Sequence, residues 1–464
     1  MKKIIIPLLI VAMVAVLIVT GCRPKPPERP EYPAEMPCGM VVDLSGPHAE
    51  LGKKLSTGAE VGVYQMNEWG GIRNMYSMKL RLIVADDGGS PEQAAAEAER
   101  LITEEKVIFV IGAWPTAMAI SEVCEEHETP FICPLGLDPL LTERGYSYTF
   151  RFIGDASDVA GQMVYAMTKS AEEAGLSPPK TCFMEYISDD PSVAVAEAFK
   201  PLAEEAGINI VGEAVVEATA TTFVPQLIEI EAAEPDVLFS CHYTDDAIIL
   251  YQEMMDRQTY FPYGVFSWGG GLEDSRFYEA LPQAAYEYGF SYETGDPLPQ
   301  RRHYYNWVNT EVQARIGQDW EDYTIGTGYT AIWIVKEGME RMTPPGWTSI
   351  PGKEAFVYQT GGEQKEFSLD LADLRSNLQH TLAYMLVTGG DTMKLQLPDA
   401  TVLLPALQPM RYYQIEFDET GQNLYGVGAV SQNIGGTRWP LYPETRRESD
   451  SPSVVLPIPP WGER

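Results

Sequence analysis

The sequence lacks four motifs that are typical of common enzyme classes. None of its five histidines stands in an H-E-x-x-H pair. The nucleophile elbow G-x-S-x-G, the phosphate-binding loop G-x-x-x-x-G-K and the dinucleotide loop G-x-G-x-x-G are also absent. Adjacent acids such as Asp86-Asp87 and Asp245-Asp246 stand next to predicted helix starts, where carboxylates usually cap helices. We therefore expect a protein that is not an enzyme and that needs no cofactor.

Basic residues are scarce. The 464 residues include 33 Lys and Arg against 66 Asp and Glu, which gives a formal net charge of -33. A chain with this charge is repelled by nucleic acid and by anionic membrane surfaces. We expect no nucleic-acid partner.

Cysteine is also sparse, and no two cysteines have C-x-x-C spacing, so the sequence predicts no metal site. With Cys22 set aside, five cysteines remain, an odd number that cannot all pair within the chain. The sequence does not identify a disulfide pair. Four cysteines in apolar contexts are expected to be small buried residues, namely Cys124, Cys133, Cys182 and Cys241.

The sequence has one long apolar run, from Ile4 to Val19. Lys2 and Lys3 precede it, and Val19-Thr20-Gly21 leads into Cys22. This pattern resembles a bacterial lipoprotein signal, in which the cysteine is acylated and becomes the first residue. The alternative is a membrane-spanning anchor, for which the run is short, since a spanning helix needs about 20 apolar residues. We expect residues 1–21 to be a signal peptide and Cys22 to anchor the protein outside the cytoplasm.

A Pro-rich segment follows Cys22. Residues 22–37 include "RPKPPERPEYPAEM", a composition typical of a semi-rigid tether. After residue 22 we find no apolar run long enough to span a membrane, which argues against a cytoplasmic signalling part within this chain.

From residue 38 onward, predicted strands alternate with predicted helices. "MKLRLIVADD" and "VIFVIG" indicate buried strands separated by the amphipathic helix "EQAAAEAERLITEE". A second series contains the strands "TCFMEY", "DVLFSC" and "PYGVFSW". This alternation predicts two α/β units with parallel, doubly wound sheets. Loops at the carboxyl ends of such strands are where ligands bind.

Three stretches resemble one family when they are taken in order. They are "VVDLSGPHAELGKKLSTGAEVGVYQMNEWGGIRN", "KLRLIVADDGGSPEQAAAEAERLITEEKVIFVIGAW" and "TPFICPLGLDPLLTERGYSYTFRF". The family is the branched-chain amino-acid type of periplasmic binding protein, which supplies small molecules to ABC importers. The resemblance covers most of residues 38–290 and weakens after about residue 345.

The resemblance implies an α/β fold with two doubly wound lobes joined by a hinge. The first lobe is expected to contain 38–155 and 296–345, and the second 156–295 and 346–445. Residues 388–412 are expected to form an insertion, and 446–464 a C-terminal tail. The implied ligand lies in the cleft between the lobes and is passed to the membrane subunits of an ABC importer.

Carried over residue by residue, the resemblance also implies a binding site. Thr116 stands where a serine holds an amino-acid carboxylate, although it could instead only cap a helix. Leu137 replaces a threonine, and Trp268 stands near the place of the acid that meets the ligand's ammonium. Asp190 or Asp245 could substitute for that acid. The expected ligand-binding residues are Leu51, Trp114, Thr116, Leu135, Gly136, Leu137, Tyr186, Asp190, His242, Tyr243 and Trp268.

These replacements favour apolar surface over charge in the expected site. We therefore expect a small, partly apolar ligand, such as an amino acid, a small carboxylate or an aromatic acid. The alternative function is a ligand-sensing ectodomain of the same fold that works with a separate signalling partner.

Overall fold

The structure is a computed structural model that describes residues 35–75, 77–217, 220–294, 305–317, 323–342, 348–349, 355–360, 363–368, 370–388, 392–397, 400–405, 414–423, 428–444 and 447–464. The expected signal peptide, Cys22 and most of the expected tether lie outside these residues. Among the residues described, no helix has the length and apolar character needed to cross a membrane.

The first lobe is built on a parallel sheet. Its strands are β1 (Glu35–Val42), β2 (Lys79–Asp86), β3 (Val110–Gly112), β4 (Phe131–Cys133) and β5 (Thr149–Arg151). They are hydrogen-bonded in the order β2-β1-β3-β4-β5. The helices between them are α1 (Ala49–Glu68), α2 (Pro91–Thr103), α3 (Ala117–Glu126) and α4 (Leu140–Glu143).

The second lobe repeats this architecture. Its parallel strands are β6 (Thr181–Ile187), β7 (Asn209–Val216), β8 (Val237–Cys241), β9 (Val265–Trp268) and β10 (Phe290–Glu293). Its helices are α5 (Ala156–Glu173), α6 (Asp190–Glu205), α7 (Val224–Ala233), α8 (Thr244–Arg257), α9 (Ser275–Ala280) and α10 (Gln283–Tyr286).

The remaining elements are divided between the two lobes and a set of small sheets. The helices are α11 (Tyr305–Ile316), α12 (Tyr323–Met342) and α13 (Leu371–Ala383). The strands are β11 (Thr348–Ser349), β12 (Ala355–Thr360), β13 (Glu363–Ser368), β14 (Leu386–Thr388), β15 (Thr392–Leu397), β16 (Ala400–Pro405), β17 (Gln414–Glu416), β18 (Ala429–Ile434) and β19 (Thr437–Tyr442). Antiparallel β18 and β19 extend the second sheet, whose order is β19-β18-β10-β9-β8-β6-β7.

Both faces of the first sheet are buried. Cys38, Met40 and Val42 of β1 pack in one core with residues of α1 and α12, whereas Val41 packs in another core with residues of α2 and α3. Because successive side chains of a strand point to opposite faces, helices must cover both faces of such an apolar strand. The carboxyl ends of the strands stay free of this covering and carry the loops.

Helix α13 packs in the first lobe. Leu374, Leu378 and Leu382 belong to the same core as α12, and Arg375 donates to the carbonyl oxygen of Val107 at 2.6 Å. The resemblance implied that residues 346–445 belong to the second lobe. For α13 that expectation is wrong, because this helix packs in the first-lobe core. Its leucine stripe fits the surface that α12 offers beside Gly338. Strands β18 and β19 do pack in the second lobe.

Two other expected segments are partly described. Within the expected insertion 388–412, β15 and β16 form an antiparallel pair. In the expected tail, Ile458 is buried in the second lobe, and its backbone N–H donates to the carbonyl oxygen of Pro262 at 2.9 Å. The tail therefore adds to the second-lobe core.

Two chain segments run side by side where the lobes join. The first links β5 to α5. The second is residues 421–423, in which the Asn423 amide donates to the carbonyl oxygen of Phe152 at 2.9 Å and the Gln422 amide to that of Ile153 at 2.8 Å. The Arg151 guanidinium is fully buried here and donates to the carbonyl oxygen of Asp138 at 2.6 Å. Burial lowers the pKa of Arg151, while Asp155 opposes that effect.

The backbones of helices α1 and α12 are in contact where the two helices cross. A Cβ added to Gly328 would lie 2.1 Å from the carbonyl oxygen of Leu55, and one added to Gly58 would lie 2.0 Å from that of Ile325. Glycine is therefore required at the crossing for steric reasons, and the crossing fixes α12 against the first lobe.

We predict that Gly328→Ala lowers the free energy of unfolding by about 1–3 kcal/mol, because the methyl group must push the helices apart. Gly161→Ala in α5 is the matched control, since the nearest atom to its added Cβ is 3.9 Å away. This control should be neutral or stabilising by up to about 1 kcal/mol. Urea titrations of both variants test the prediction, and equal stability of the two would contradict it.

Candidate functional site

A cavity lies between the lobes, at the carboxyl ends of both parallel sheets. It contains about 880 Å³ of space, part of which is open to solvent. Residues that follow β1, β3, β4, β6, β8, β9 and β10 line it, as expected for open α/β sheets.

The first-lobe wall is mainly apolar. Leu51 and Leu55 stand one turn apart on α1, so they share one face. Trp114 follows β3 and Leu135 follows β4, and a hydrogen bond of 2.6 Å from the Trp114 backbone N–H to the Leu135 carbonyl oxygen ties these two loops together. Leu137 continues the wall toward the junction of the lobes.

Aromatic residues dominate the second-lobe wall. Tyr243 follows β8, Trp268 ends β9 and Tyr292 lies in β10. Gly269 has a φ of +106°, and a Cβ at that position would lie 2.7 Å from the carbonyl oxygen of His242. Glycine therefore allows the loop after β9 to lie against the loop after β8, which brings Tyr243 and Trp268 into the same wall.

The acids near the cavity are engaged by internal donors. The Asp43 carboxylate lines the cavity and accepts hydrogen bonds from the backbone N–H groups of Ser45, Gly46 and His48 at 3.2, 2.5 and 2.8 Å. Asp189 accepts from the Tyr243 hydroxyl at 2.7 Å. An acid with internal donors is a weaker partner for a ligand cation than a free carboxylate.

Asp43, Asp86 and Asp87 place carboxylate oxygens within 4.8 Å of one another, which is close enough for a cation. Their oxygens already accept N–H and O–H donors, among them the backbone N–H of Leu44, which donates to Asp86 at 2.8 Å. The side chain of Ser45 holds the pKa of Asp86 below its ordinary value, while burial raises that of Asp87. The internal hydrogen bonds account for the cluster, because they connect the end of β1 to the end of β2.

His48 and Trp114 form a polar corner of the cavity. Their rings meet edge to face with centroids 4.2 Å apart. Burial lowers the pKa of His48, and the charges of Asp43, Asp189 and Asp87 oppose that effect. The Trp114 Nε1 donor is buried and has no hydrogen-bond partner among the described residues.

The structure brings most of the sequence-predicted site residues to this cavity. Those that line it are Leu51, Trp114, Leu135, Gly136, Leu137, Tyr243 and Trp268. They come from both lobes. Their part in binding stays a prediction.

The other predicted residues do not line the cavity. Thr116 is 1% exposed, and its hydroxyl donates to Asp87 at 2.7 Å. The Tyr186 hydroxyl donates to Glu213, and the buried His242 ring pairs with Glu185. Asp190 is exposed at the first position of α6.

Sequence reasoning did not select several of the lining residues. They include Asp43, Leu55, Ile153, Val159, Pro191, Tyr292 and Thr294. A signal existed for Leu55, which follows Leu51 at helical spacing. Tyr292 and Thr294 carry no comparable signal, because their position depends on how β10 joins the sheet.

The buried thiols take no part in the site. The five described cysteines are free and buried, including the four that were expected to be small core residues. Burial raises the pKa of Cys133 to about 12, so its thiol stays protonated.

Comparisons with known proteins agree with this geometry. A family model described as "Periplasmic binding protein" matches residues 35–359. The Leu/Ile/Val-binding protein homolog 7 of Brucella abortus (strain 2308) is 26% identical over 266 residues, which are 56% of this chain and 65% of that relative. The match therefore spans slightly less than two thirds of the relative's length.

Solved structures share the fold. A branched-chain amino acid transporter substrate binding protein from Streptococcus pneumoniae, solved with isoleucine, has a TM-score of 0.61 and 14% identity and covers 87% of this chain and 97% of its own. A solute binding protein of an ABC transporter from Rhodopseudomonas palustris BisB5, solved with 3,4-dihydroxybenzoic acid, has a TM-score of 0.63 and 16% identity and covers 92% and 99%. The predicted fold of two α/β lobes with parallel sheets is thereby confirmed.

We predict that Thr116→Val lowers the free energy of unfolding by about 1–3 kcal/mol at pH 7, because Asp87 loses a donor while both groups stay buried. The lost hydrogen bond favoured the charged carboxylate. The difference from the parent protein should therefore shrink as the pH falls through the pKa of Asp87, which burial raises.

Thr103→Val is the matched control, because its exposed hydroxyl bonds only the carbonyl oxygen of Glu99 in its own helix. Urea titrations at pH 7 and at lower pH provide the measurement. A Thr116→Val protein as stable as this control would contradict the assigned role.

Proposed function

This chain belongs to the periplasmic binding protein family, and we propose that it captures one small organic molecule between its lobes and delivers it to an ABC importer. The observation that carries the proposal is the cavity at the carboxyl ends of both sheets, with Leu51 and Trp114 in one wall and Tyr243 and Trp268 in the other. A ligand that touches both walls binds the closed arrangement of the lobes better than an open one, so binding favours closure.

The junction of the lobes supports closure by hinge movement. Its two described segments are short and hydrogen-bonded to each other through Gln422 and Asn423, whereas the lobes have separate hydrophobic cores. Hinges of this kind absorb the backbone change while each lobe moves as a unit.

The walls favour a ligand with an apolar body and no ammonium group. Burying an unpaired ammonium group is costly, and the described carboxylates nearest the cavity, Asp43 and Asp189, already accept internal hydrogen bonds. Asp190 is exposed, and Asp245 pairs with Arg276 at 3.7 Å. An aliphatic or aromatic acid, or the matching amide, satisfies these walls better than an amino acid does.

The protein works outside the cytoplasm in this proposal, held to the membrane by a lipid on Cys22. Family membership and the residues from Lys2 to Cys22 support that location. The importer's membrane subunits are the proposed partners.

We predict that 4-methylpentanoate and benzoate raise the melting temperature of the soluble form that starts after Cys22 more than leucine does. Leucine has the same branched carbon chain as 4-methylpentanoate but carries an ammonium group that must be desolvated. A thermal-shift panel of leucine, isoleucine, valine, phenylalanine and the matching acids without the amino group provides the measurement.

Small-angle scattering then tests the mode of binding, since the bound form should be more compact. A leucine response that exceeds the acid responses would contradict the ligand class but not the capture function. A scattering profile that stays unchanged with a saturating ligand would contradict capture between the lobes.

We predict that Cys22→Ala abolishes lipidation and releases the protein from the membrane fraction. The residues on either side of Cys22 are unchanged in this variant, so only the acceptor thiol is lost. Mass spectrometry of the processed N-terminus and membrane fractionation check the result, with Cys38→Ala as the control because Cys38 is buried in the fold. Membrane retention of Cys22→Ala would rule the anchor out.

A further inference from the structure

The lining of the cavity offers few groups that can match a charged ligand. Among its described residues there is no lysine or arginine, and Asp43 is the one carboxylate. That carboxylate accepts three backbone N–H groups. His48 is thus the one described lining side chain whose charge can become positive near neutral pH.

The ring of His48 is available for hydrogen bonding. None of the described residues forms a hydrogen bond with its Nδ1 or Nε2 atom, although its backbone N–H bonds Asp43 at 2.8 Å. Its neighbour Trp114 also has an unpartnered buried Nε1, which can only donate. An imidazole and an indole N–H side by side form a corner suited to a hydrogen-bond acceptor.

Several titratable groups surround this corner. Asp43 precedes α1 on the same loop, Asp86 ends β2 and Asp87 follows it, and Asp189 precedes α6 with the Tyr243 hydroxyl bonded to it. Their negative charges oppose the entry of an anion. An anionic ligand group therefore needs a countercharge within the site, and a proton on the imidazole ring supplies it.

We infer that His48 receives the anionic group of the ligand and takes up one proton when the ligand binds, so that the cavity selects apolar-bodied carboxylates. This inference rests on the proposed capture function and makes it more specific. For each carboxylate bound, the His48 ring takes up one proton from solvent. The result is an imidazolium–carboxylate pair in the closed cavity.

The direction in which carboxylate affinity changes with pH follows from the protonation state of His48 before the ligand binds. Burial keeps the pKa of His48 below its ordinary value, which favours the neutral ring at pH 7. A carboxylate beside the ring raises this pKa. Carboxylate affinity is then greatest at low pH and falls, by at most about tenfold per pH unit, as the pH rises through the pKa of His48 in the empty site toward that in the complex.

Calorimetry tests the inference with benzoate and 4-methylpentanoate as probes and with their amides as neutral isosteres. At pH 7, titrations in two buffers of different ionisation enthalpy should show uptake of close to one proton per carboxylate bound and none per amide. His48→Gln keeps a hydrogen-bonding side chain but cannot become charged. It should abolish the proton uptake and weaken carboxylate binding by about 10- to 100-fold, while amide affinity changes little.

His127→Gln is the matched control, because His127 lies outside the cavity and pairs with Glu99 at 2.5 Å. It should bind both probes as the parent protein does. Circular dichroism and the amide titration show whether His48→Gln keeps an intact site. Should that variant not fold, the proton uptake of the parent protein and the contrast between acid and amide still decide the question.

Carboxylate binding without proton uptake, or uptake that persists in His48→Gln, would overturn the inference and leave capture intact. Tighter binding of benzylamine than of benzoate would also overturn it, because the site would then select cations. If scattering and calorimetry detect no binding of any acid, amide or amine, the proposed function fails together with the inference.

Discussion

The buried guanidinium of Arg151 connects the parts of the molecule on which the site depends. It stands at the end of β5 and donates to the carbonyl oxygens of Gly136 and Asp138 and to the side chain of Gln422. These contacts hold the loop that carries Leu135 and Leu137 against the segment that crosses between the lobes. Because a buried cation must keep its acceptors, this arrangement cannot relax without a large cost. The first-lobe wall is therefore fixed at the hinge.

Close approaches between the backbones of neighbouring loops position the other residues of the site. The loop after β9 approaches the loop after β8 because Gly269 has no side chain, and the loop after β3 is tied to Leu135 by a hydrogen bond of 2.6 Å. The walls that result are apolar and aromatic, and the nearby acids are occupied by internal donors. The surfaces that remain available to a ligand are flat apolar side chains and the corner formed by His48 and Trp114. That combination is the basis for proposing an acid with an apolar body, and not an amino acid, as the ligand.

Periodicity in the sequence was enough to predict two α/β units, and the family resemblance was enough to predict that Leu51, Trp114 and Tyr243 belong to one site. Side-chain direction was not predictable in the same way. Tyr186 lies near the end of β6 and Thr116 follows β3, but their hydroxyls bond Glu213 and Asp87. Such pairings depend on neighbours distant in the chain. The lobe of α13 was not predictable either, because a leucine stripe does not identify the surface on which it packs.

The central claim is that a small molecule binds between the lobes with its acidic group at His48. A crystal structure of the protein with benzoate or 4-methylpentanoate tests this claim most directly. The account predicts the apolar part of the ligand between Trp114 and Trp268 and its carboxylate within hydrogen-bond distance of the His48 ring. A ligand bound outside the cavity, or one whose carboxylate lies in the cavity but away from His48 and Trp114, would contradict it.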